Sequence, residues 1–329
     1  MKIAFLVDQN VLATGNSNGI RMQALVWKNS LEQKGHFVEL VNPWIHYDWK
    51  IFDALHFFGS GYWLNLLPVL ARQNPKIVFS PIIDSIKTPF MYKLASYVKV
   101  PCFRLYSQNS ILRDVSGYVR IFLSRSEYES KYIAAISSKS PNIRIVPLSP
   151  RVEPETDINL KKEDFCLHVS LFTQPRKNVM RLMKASDKYG FRLVIAGNCG
   201  KESDLAPFKE YASSRKNIEI LGFQTEEQLK TLYDKAKIFA LPSIEEGVGL
   251  VALEAAIRNC GIVITSKGGP KEYYGDDAYA VNPYSIDEIG KGVMNALENP
   301  KQPKLRDRIL SLYNLSHCTD LLVDVYRKL

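Results

Sequence analysis

The sequence predicts an α/β protein built from two successive Rossmann-like units. Short apolar runs of strand length alternate with longer stretches of helical periodicity in both halves of the 329 residues. Residues 147–157 hold three prolines and show no periodicity, which marks a linker near the middle of the chain. A chain of this length suits two domains of ordinary size. We therefore predict a domain boundary near residue 150.

The first half opens with a strand, a helix and a second strand. Residues 2–7 are apolar, residues 19–34 have helical periodicity closed by Gly35, and residues 37–41 are again apolar. This order predicts a parallel sheet with a ligand at its carboxyl edge. The remaining strands of the first half are predicted at residues 53–59, 77–80, 119–123 and 143–146.

The second half restarts the same alternation. Two capping boxes, Thr225-Glu-Glu-Gln228 and Ser285-Ile-Asp-Glu288, open helices in it. The final stretch, residues 305–329, has a helical pattern. Strands are predicted at residues 165–171, 192–197, 218–221, 238–241, 262–265 and 278–281.

Composition argues against several classes of protein. No stretch approaches the roughly 20 apolar residues that a membrane helix needs, and residues 1–8 are too short for a signal peptide. We therefore expect a cytoplasmic protein. The five cysteines are scattered, odd in number and never paired as CxxC, which argues against disulfides and a zinc site.

Positive charge is concentrated in the first half. Residues 1–150 hold 17 Lys and Arg against 9 Asp and Glu, a net charge of +8, whereas the whole chain carries +9. A basic face suits an anionic membrane, a phosphorylated acceptor or a nucleic acid. The sequence has no recognition-helix or RNA-binding signature, so nucleic acid is the weakest of these partners. We favour peripheral binding to the inner membrane surface.

Residues 87–106 interleave cations with aromatic rings. Three lysines and one arginine alternate there with phenylalanines and tyrosines. One interpretation is a helix that lies in a membrane interface, with its rings at headgroup level and its cations on phosphates. The other is an ordinary helix on the flank of a sheet. The pattern fits both equally.

The strongest signal lies at residues 238–254. The apolar run predicts a strand, Pro242-Ser243 ends it, and two glycines lead into a helix that begins near Gly249. A helix N-terminus binds anions, because its first N–H groups lack partners and its dipole is positive there. Gly247 and Gly249 let a bulky phosphate approach the backbone.

Two carboxylates, Glu246 and Glu254, bracket this anion site. Glu254 lies one turn beyond Leu250, on the same face of the predicted helix. A carboxylate accepts two hydrogen bonds from a vicinal diol such as a ribose or a hexose. A phosphate site between two such carboxylates describes a nucleotide sugar.

The segment Glu246-Gly-Val-Gly-Leu-x3-Glu254 resembles the EGFGL(x)3E signature of retaining nucleotide-sugar glycosyltransferases of GT-B architecture, with Val248 in place of the commoner Phe. The resemblance implies that Glu246 contacts the donor sugar and that Glu254 contacts the ribose.

The same resemblance implies a domain arrangement. Two Rossmann-like domains are expected to face each other across a cleft, with residues 1–150 on the acceptor side and residues 151–310 on the donor side. The terminal helix, residues 311–329, is expected to return to the first domain.

A second basic segment, Pro175-Arg176-Lys177-Asn178, follows a predicted strand and opens a helix. Arg176 can hold a phosphate with two parallel bonds, while Lys177 supplies a point charge. The segment resembles the PRKN form of the family's diphosphate loop, although Leu171 replaces the usual upstream Gly. The expected catalytic set is Glu246, Lys177 and Arg176.

Further contacts to the donor follow from the resemblance. Ser266-Lys-Gly-Gly269-Pro-Lys-Glu272 resembles the family's GG-x-x-E loop beside the sugar, where the glycines serve backbone geometry. A loop near the N-terminus faces the donor phosphates in the family, and the end of the strand at residues 218–221 holds the nucleobase. The expected donor-binding residues are Glu254, Gly247, Gly249, Leu250, Val251, Gly15, Gly222 and Phe223.

The acceptor side departs from the family. His56 falls within a predicted strand, where relatives often have Asp-x-x-His, and a lone His near a strand end is more often structural than functional. At the next strand end, the family's His before Asp is replaced by Ile83-Asp84. This leaves Asp84 as its substitute.

These residues lead to one main hypothesis. It is a retaining, metal-independent hexosyl transferase that moves a sugar from a UDP- or GDP-sugar to a lipid-linked or surface glycan acceptor. No Asp-x-Asp is present and no cofactor beyond the donor is expected. The alternatives are a nucleotide-sugar epimerase and a catalytically silent nucleotide-sugar-binding subunit, which the departures at Val248, Leu171 and Ile83 motivate.

Overall fold

The chain forms two compact α/β units in a computed structural model that describes residues 1–8, 19–100, 105–154 and 160–329. The first unit comprises Met1–Leu148 and Leu315–Leu329, and the second comprises Ser149–Asn314. Each unit contains one six-stranded sheet whose strands pair in parallel. The predicted fold class, α/β with two Rossmann-like units, is confirmed.

The elements of the first unit alternate along the chain. Its strands are β1 Lys2–Val7, β2 Phe37–Leu40, β3 Ala54–Phe58, β4 Ile77–Ser80, β5 Lys99–Val100, β6 Leu105–Tyr106, β7 Ile121–Ser124 and β8 Ile143–Ile145. Its helices are α1 Gly19–Gln33, α2 Leu67–Ala71, α3 Pro89–Ala95, α4 Gln108–Val115 and α5 Glu127–Ile136. The six-stranded sheet has the order β2-β1-β3-β4-β7-β8, while β5 and β6 form a separate antiparallel pair.

The elements of the second unit follow the same plan. Its strands are β9 Glu163–Val169, β10 Leu193–Ala196, β11 Ile218–Gly222, β12 Ala236–Leu241, β13 Gly261–Thr265 and β14 Tyr279–Val281, in the sheet order β11-β10-β9-β12-β13-β14. Its helices are α6 Val179–Tyr189, α7 Glu202–Ser213, α8 Glu226–Lys235, α9 Leu250–Ile257, α10 Pro270–Tyr274, α11 Ile286–Glu298 and α12 Lys304–Leu312. The last helix of the chain is α13, Leu315–Arg327.

The burial of the central strands explains why they could be predicted from the sequence. In β3, β4, β7, β10 and β13 every residue is buried. Helices cover both faces of a parallel sheet, so its inner strands consist of nearly continuous apolar residues. Each of the twelve predicted strands is present, with ends that differ by a few residues.

The last helix belongs to the first unit, and polar contacts hold it there. Thr319 Oγ1 lies 2.6 Å from Ser30 Oγ on α1, in a buried contact. At the other end of the helix, Tyr326 hydroxyl lies 2.7 Å from Nδ1 of His56. His56 is fully buried, and its Nε2 lies 2.8 Å from Ser80 Oγ. The structure therefore gives His56 a structural role.

Two helical predictions were wrong in extent. Residues 87–106 do not form one helix, because α3 ends at Ala95, where Ser96 Oγ donates to the carbonyl of Lys93, and β5 begins at Lys99. Residues 305–329 form two helices, because Asn314 Nδ2 donates to the carbonyl of Leu310 and ends α12.

The two predicted capping boxes differ in the structure. Thr225 and Gln228 form the complete reciprocal pair. Ser285 accepts from the amide of Glu288, but the Glu288 carboxylate accepts from the amide of Asn282 instead of from Ser285. The second box is therefore a single side-chain cap.

A buried ionic cluster lies at the carboxyl ends of β4 and β7. Arg125 donates from Nε to Glu129 Oε2 at 2.9 Å and from Nη2 to Asp84 Oδ1 at 2.8 Å. Glu129 also accepts from the amide of Ile83 at 2.6 Å. The neighbouring Ile82 has a φ of +57°, a strained value for a β-branched residue. The cluster thus fixes a strained loop that carries Asp84.

We expect Arg125→Met to lower the free energy of unfolding by about 3–5 kcal/mol, because it leaves the Glu129 carboxylate buried without its cation. Urea unfolding measures this change. Lys131→Met, at an exposed position on α5, the helix that carries Glu129, is the control and should change the free energy by less than about 0.5 kcal/mol. Equal midpoints for Arg125→Met and the wild type would contradict the role given to the cluster.

Stability should also depend on pH through two buried histidines. Burial lowers the pKa of His56 and lowers that of His168 to about 4. Between about pH 7 and about pH 5 the unfolded chain binds protons on these rings and the folded chain does not, so stability falls as the pH falls. For His168 the loss is about 2 kcal/mol at a pH of about 5.

Urea unfolding at these two pH values tests the dependence. His168→Asn should lose less stability on acidification than the wild type does. His317→Asn, at an exposed position, should behave as the wild type. If acidification costs the wild type and His168→Asn the same free energy, the explanation is wrong.

Candidate functional site

The predicted strand, loop and helix at residues 238–254 are present in the second unit. Strand β12 ends at Leu241, and α9 begins at Leu250 with Gly249 as its N-cap. Gly249 has a φ of +78°, and a Cβ there would lie 3.1 Å from Leu241 Cδ2 and 3.3 Å from Ile264 Cδ1. Glycine is thus required, and it provides no side-chain cap for the first turn of α9, which holds Leu250 and Val251.

Lys177 meets Glu246, which lies in the loop that leads into this turn. Lys177 Nζ donates to Glu246 Oε2 at 2.8 Å, and Ser243 Oγ donates to the same oxygen at 3.1 Å. The side chains of Lys177 and Glu246 are only 12% and 10% exposed. An ammonium group has three donors, so this bond leaves Lys177 able to bind an anion as well. Two of the three predicted catalytic residues are therefore in direct contact.

Arg176, the third predicted catalytic residue, does not join this pair through its side chain. It is exposed, and its Nε donates to Gln174 Oε1 at 3.2 Å. Its carbonyl accepts from the amide of Ile244 at 2.7 Å, which ties the short Pro175–Lys177 helix to the loop that carries Glu246. The structure assigns its backbone a positioning contact, and a phosphate contact of its side chain stays a prediction.

Asn178 joins three loops at this edge of the sheet, and the sequence analysis gave it no role. Its Nδ2 donates to the carbonyls of Pro242 at 2.9 Å and Pro283 at 2.6 Å, after β12 and β14. Its φ of +61° is one that Asn tolerates better than most residues. An Asn directly before a helix in a basic turn is the signal that could have identified it.

Glu254 lies on α9, is 3% exposed, and is bound through both oxygens. Arg151 Nε donates to Oε1, and the hydroxyl of Tyr233 donates to Oε2 at 3.3 Å. Burial and the nearby carboxylate raise the pKa of Tyr233 well above its usual value, so its hydroxyl stays a donor. A carboxylate has about four acceptor positions, so the two bonds leave acceptor capacity on Glu254, and its contact with a ribose stays a prediction. Neither Arg151 nor Tyr233 was predicted from the sequence.

The loop after β13 approaches the Glu246 backbone. Gly268 has a φ of +86°, and a Cβ there would lie 2.3 Å from the carbonyl oxygen of Glu246. The glycine therefore serves close backbone contact, as the GG-x-x-E resemblance implied.

The other described residues predicted to bind the sugar donor make no contact that tests the prediction. Gly247 is buried in the same loop, Gly222 ends β11 with a φ of +72°, and Phe223 is 73% exposed. Gly15 lies outside the described residues. The donor-binding roles of these residues stay predictions.

Among the described residues, no group of three or more His, Cys, Asp or Glu side chains is placed to hold a metal ion. No helix in the described part of the chain is long and apolar enough to span a bilayer. The described cysteines, Cys166, Cys199, Cys260 and Cys318, are free thiols.

Residues 155–310 match the family model described as Glycosyl transferases group 1. The O-antigen chain mannosyltransferase B of Escherichia coli is 27% identical over 167 residues, which are 47% of this chain and 44% of that protein. The chain spans less than two thirds of the length of the curated relatives that it matches first.

Solved structures share the fold over the whole chain. Sucrose-phosphate synthase (tll1590) from Thermosynechococcus elongatus superposes with a TM-score of 0.77 at 16% identity, covering 99% of this chain and 98% of that one. Anabaena Alr3699/HepE in complex with UDP and glucose superposes with a TM-score of 0.70 at 13% identity, covering 100% of both chains. At these identities the likeness shows the fold, which is GT-B.

We expect Gly268→Ala to lower the free energy of unfolding by about 2–4 kcal/mol, because it combines an unfavourable φ with a backbone clash. Gly190→Ala is the matched control, since Gly190 has a φ of +73° but nothing within 4 Å of its Cβ position. It should cost only about 1 kcal/mol. Equal losses in thermal or urea unfolding would show that the contact with Glu246 does not constrain the loop.

Proposed function

Because residues 155–310 match the family model described as Glycosyl transferases group 1, we propose that the chain is a retaining glycosyltransferase. It moves a hexose-type sugar from a UDP- or GDP-sugar to a lipid-linked or surface glycan acceptor, without a metal ion. The observation that carries the proposal is the 2.8 Å contact between Lys177 and Glu246, in the loop that leads into α9. A cation, a carboxylate and a helix N-terminus together suit a diphosphate joined to a sugar.

The leaving group explains why these residues are needed. As the bond between C1 of the sugar and the phosphate oxygen breaks, negative charge grows on the diphosphate. Lys177, the Arg176 side chain and the amides of Leu250 and Val251 stabilise that charge. The acceptor hydroxyl attacks C1 from the face that the phosphate leaves, and the phosphate oxygen takes the hydroxyl proton. The sugar thus keeps its anomeric configuration.

Glu246 and Glu254 bind the two ends of the donor in this proposal. When the diphosphate arrives, Lys177 shifts part of its bonding to the phosphate, and Glu246 accepts hydrogen bonds from the sugar hydroxyls. Glu254 accepts from the ribose hydroxyls while Arg151 and Tyr233 hold its orientation. Neither carboxylate acts as a nucleophile.

The names of similar proteins support the substrate class. The Escherichia coli relative is an O-antigen chain mannosyltransferase, which supports a hexose donor and a surface-glycan acceptor. The HepE structure holds UDP and glucose, which supports a nucleoside diphosphate in the donor. We place the reaction at the cytoplasmic face of a membrane, since the first half of the chain carries a net charge of +8.

A panel of UDP- and GDP-sugars, each supplied with and without bacterial glycolipid, tests the function. We expect release of nucleoside diphosphate with one donor, faster when the acceptor is present. Lys177→Met should lower turnover about 100-fold or more. Lys184→Met, at an exposed position on α6, should leave turnover unchanged.

The same panel separates the alternatives. Conversion of the donor sugar without an acceptor would indicate an epimerase. Donor binding by calorimetry with no turnover would indicate a silent binding subunit. Failure to bind any donor would overturn the proposal.

A further inference from the structure

Helix α3 exposes an apolar surface on the first unit. We define the α3 surface as Ile86, Phe90, Met91, Leu94, Tyr97 and Val98, all of which are exposed. Phe90 is 73% exposed and Leu94 is 60% exposed. No residue of α3 is buried. Clustered large apolar side chains of this kind mark an interaction site on a protein surface.

Helix α3 is fixed to the rest of the first unit by a side-chain cap, a ring contact and a hydrogen bond. Thr88 caps it by accepting from the amide of Met91 at 3.2 Å. Tyr92 packs on Tyr132 of α5, with ring centroids 5.3 Å apart. The Tyr132 hydroxyl donates to the carbonyl of Lys87 at 2.6 Å. The unit therefore presents the α3 surface on a fixed support.

Exposed cations border this surface. Residues 85–113 contain five Lys and Arg and no Asp or Glu, although Lys99 among them pairs with Asp114. Lys87 and Lys93 are exposed beside the apolar side chains, and the Arg113 guanidinium lies 4.0 Å from the centroid of the Tyr97 ring. The combination of apolar and cationic groups suits a partner that is apolar inside and anionic at its surface.

We propose that the α3 surface binds an anionic phospholipid bilayer. Phe90, Met91 and Leu94 enter the boundary between headgroups and acyl chains, while Lys87 and Lys93 contact lipid phosphates. The inference names the membrane partner of the proposed glycosyltransferase, but lipid binding can be measured whether or not the chain transfers sugar.

The charges disfavour the other occupants. In a symmetric dimer the same patch faces itself, so the cations of one copy would meet those of the other. A nucleic acid would use the cations, but it offers nothing apolar enough to cover the aliphatic side chains of Met91 and Leu94.

Co-sedimentation of the full chain with vesicles tests the proposal. We expect binding to vesicles with about one third phosphatidylglycerol, weakened by added salt, and little binding to pure phosphatidylcholine. The double substitution Phe90→Ser with Leu94→Ser should weaken binding about tenfold or more. Lys93→Glu should weaken it about fivefold or more.

Matched variants separate this surface from general effects. Leu312→Ser changes a leucine that is 44% exposed in the second unit, and Lys184→Glu changes an exposed lysine there. Both should bind vesicles as the wild type does. Equal binding by the α3 variants and these controls would overturn the proposal. So would dimerisation of the wild type that the Phe90 and Leu94 substitutions abolish.

A soluble acceptor keeps this test distinct from that of the proposed function. The α3 variants should retain donor turnover on it while losing vesicle binding. If no donor is turned over but vesicle binding behaves as described, the membrane inference stands and the transferase proposal fails.

Discussion

The two hydrogen bonds of the Asn178 side chain are the constraint on which the loops of the second unit's candidate site depend. They fix the carbonyls that follow β12 and β14 relative to the turn before α6. Carboxyl ends of parallel strands meet at one edge, but their loops are otherwise independent. The adjoining contact between the Arg176 carbonyl and the Ile244 amide then sets where Lys177 stands with respect to Glu246. Parallel strands bring their loops to one edge of the sheet, and these hydrogen bonds fix the loops there in one arrangement.

Desolvation explains why three carboxylates with little solvent exposure each have a cation beside them. Glu246 has Lys177, Glu254 has Arg151, and Glu129 has Arg125. A carboxylate removed from water without a partner would cost several kcal/mol. The paired cation at each position offsets part of the hydration that the carboxylate loses on burial.

The parts that sequence reasoning predicted are those whose signal is local. Buried strands appear as apolar runs, and the segment from Leu241 to Glu254 keeps its chemistry within a few turns of chain. Arg151 was missed because it is 103 residues from Glu254, and Tyr233 because it is 21 residues away. No pattern in one sequence reports such pairs. The end of α3 was not predicted because Ser96 ends the helix by bonding to a carbonyl of its last turn. In the sequence nothing distinguishes such a Ser from one that faces solvent.

The two carboxylates of the candidate site differ in their partners, and the difference agrees with different tasks. Lys177 is a compact charge on a flexible stem, so its bond to Glu246 can be exchanged for one to a phosphate. Glu254 is held by a guanidinium on one oxygen and by a phenol on the other, so its plane is fixed. A group that must follow a reacting sugar needs the first kind of support. A group that recognises an unchanging ribose is better served by the second.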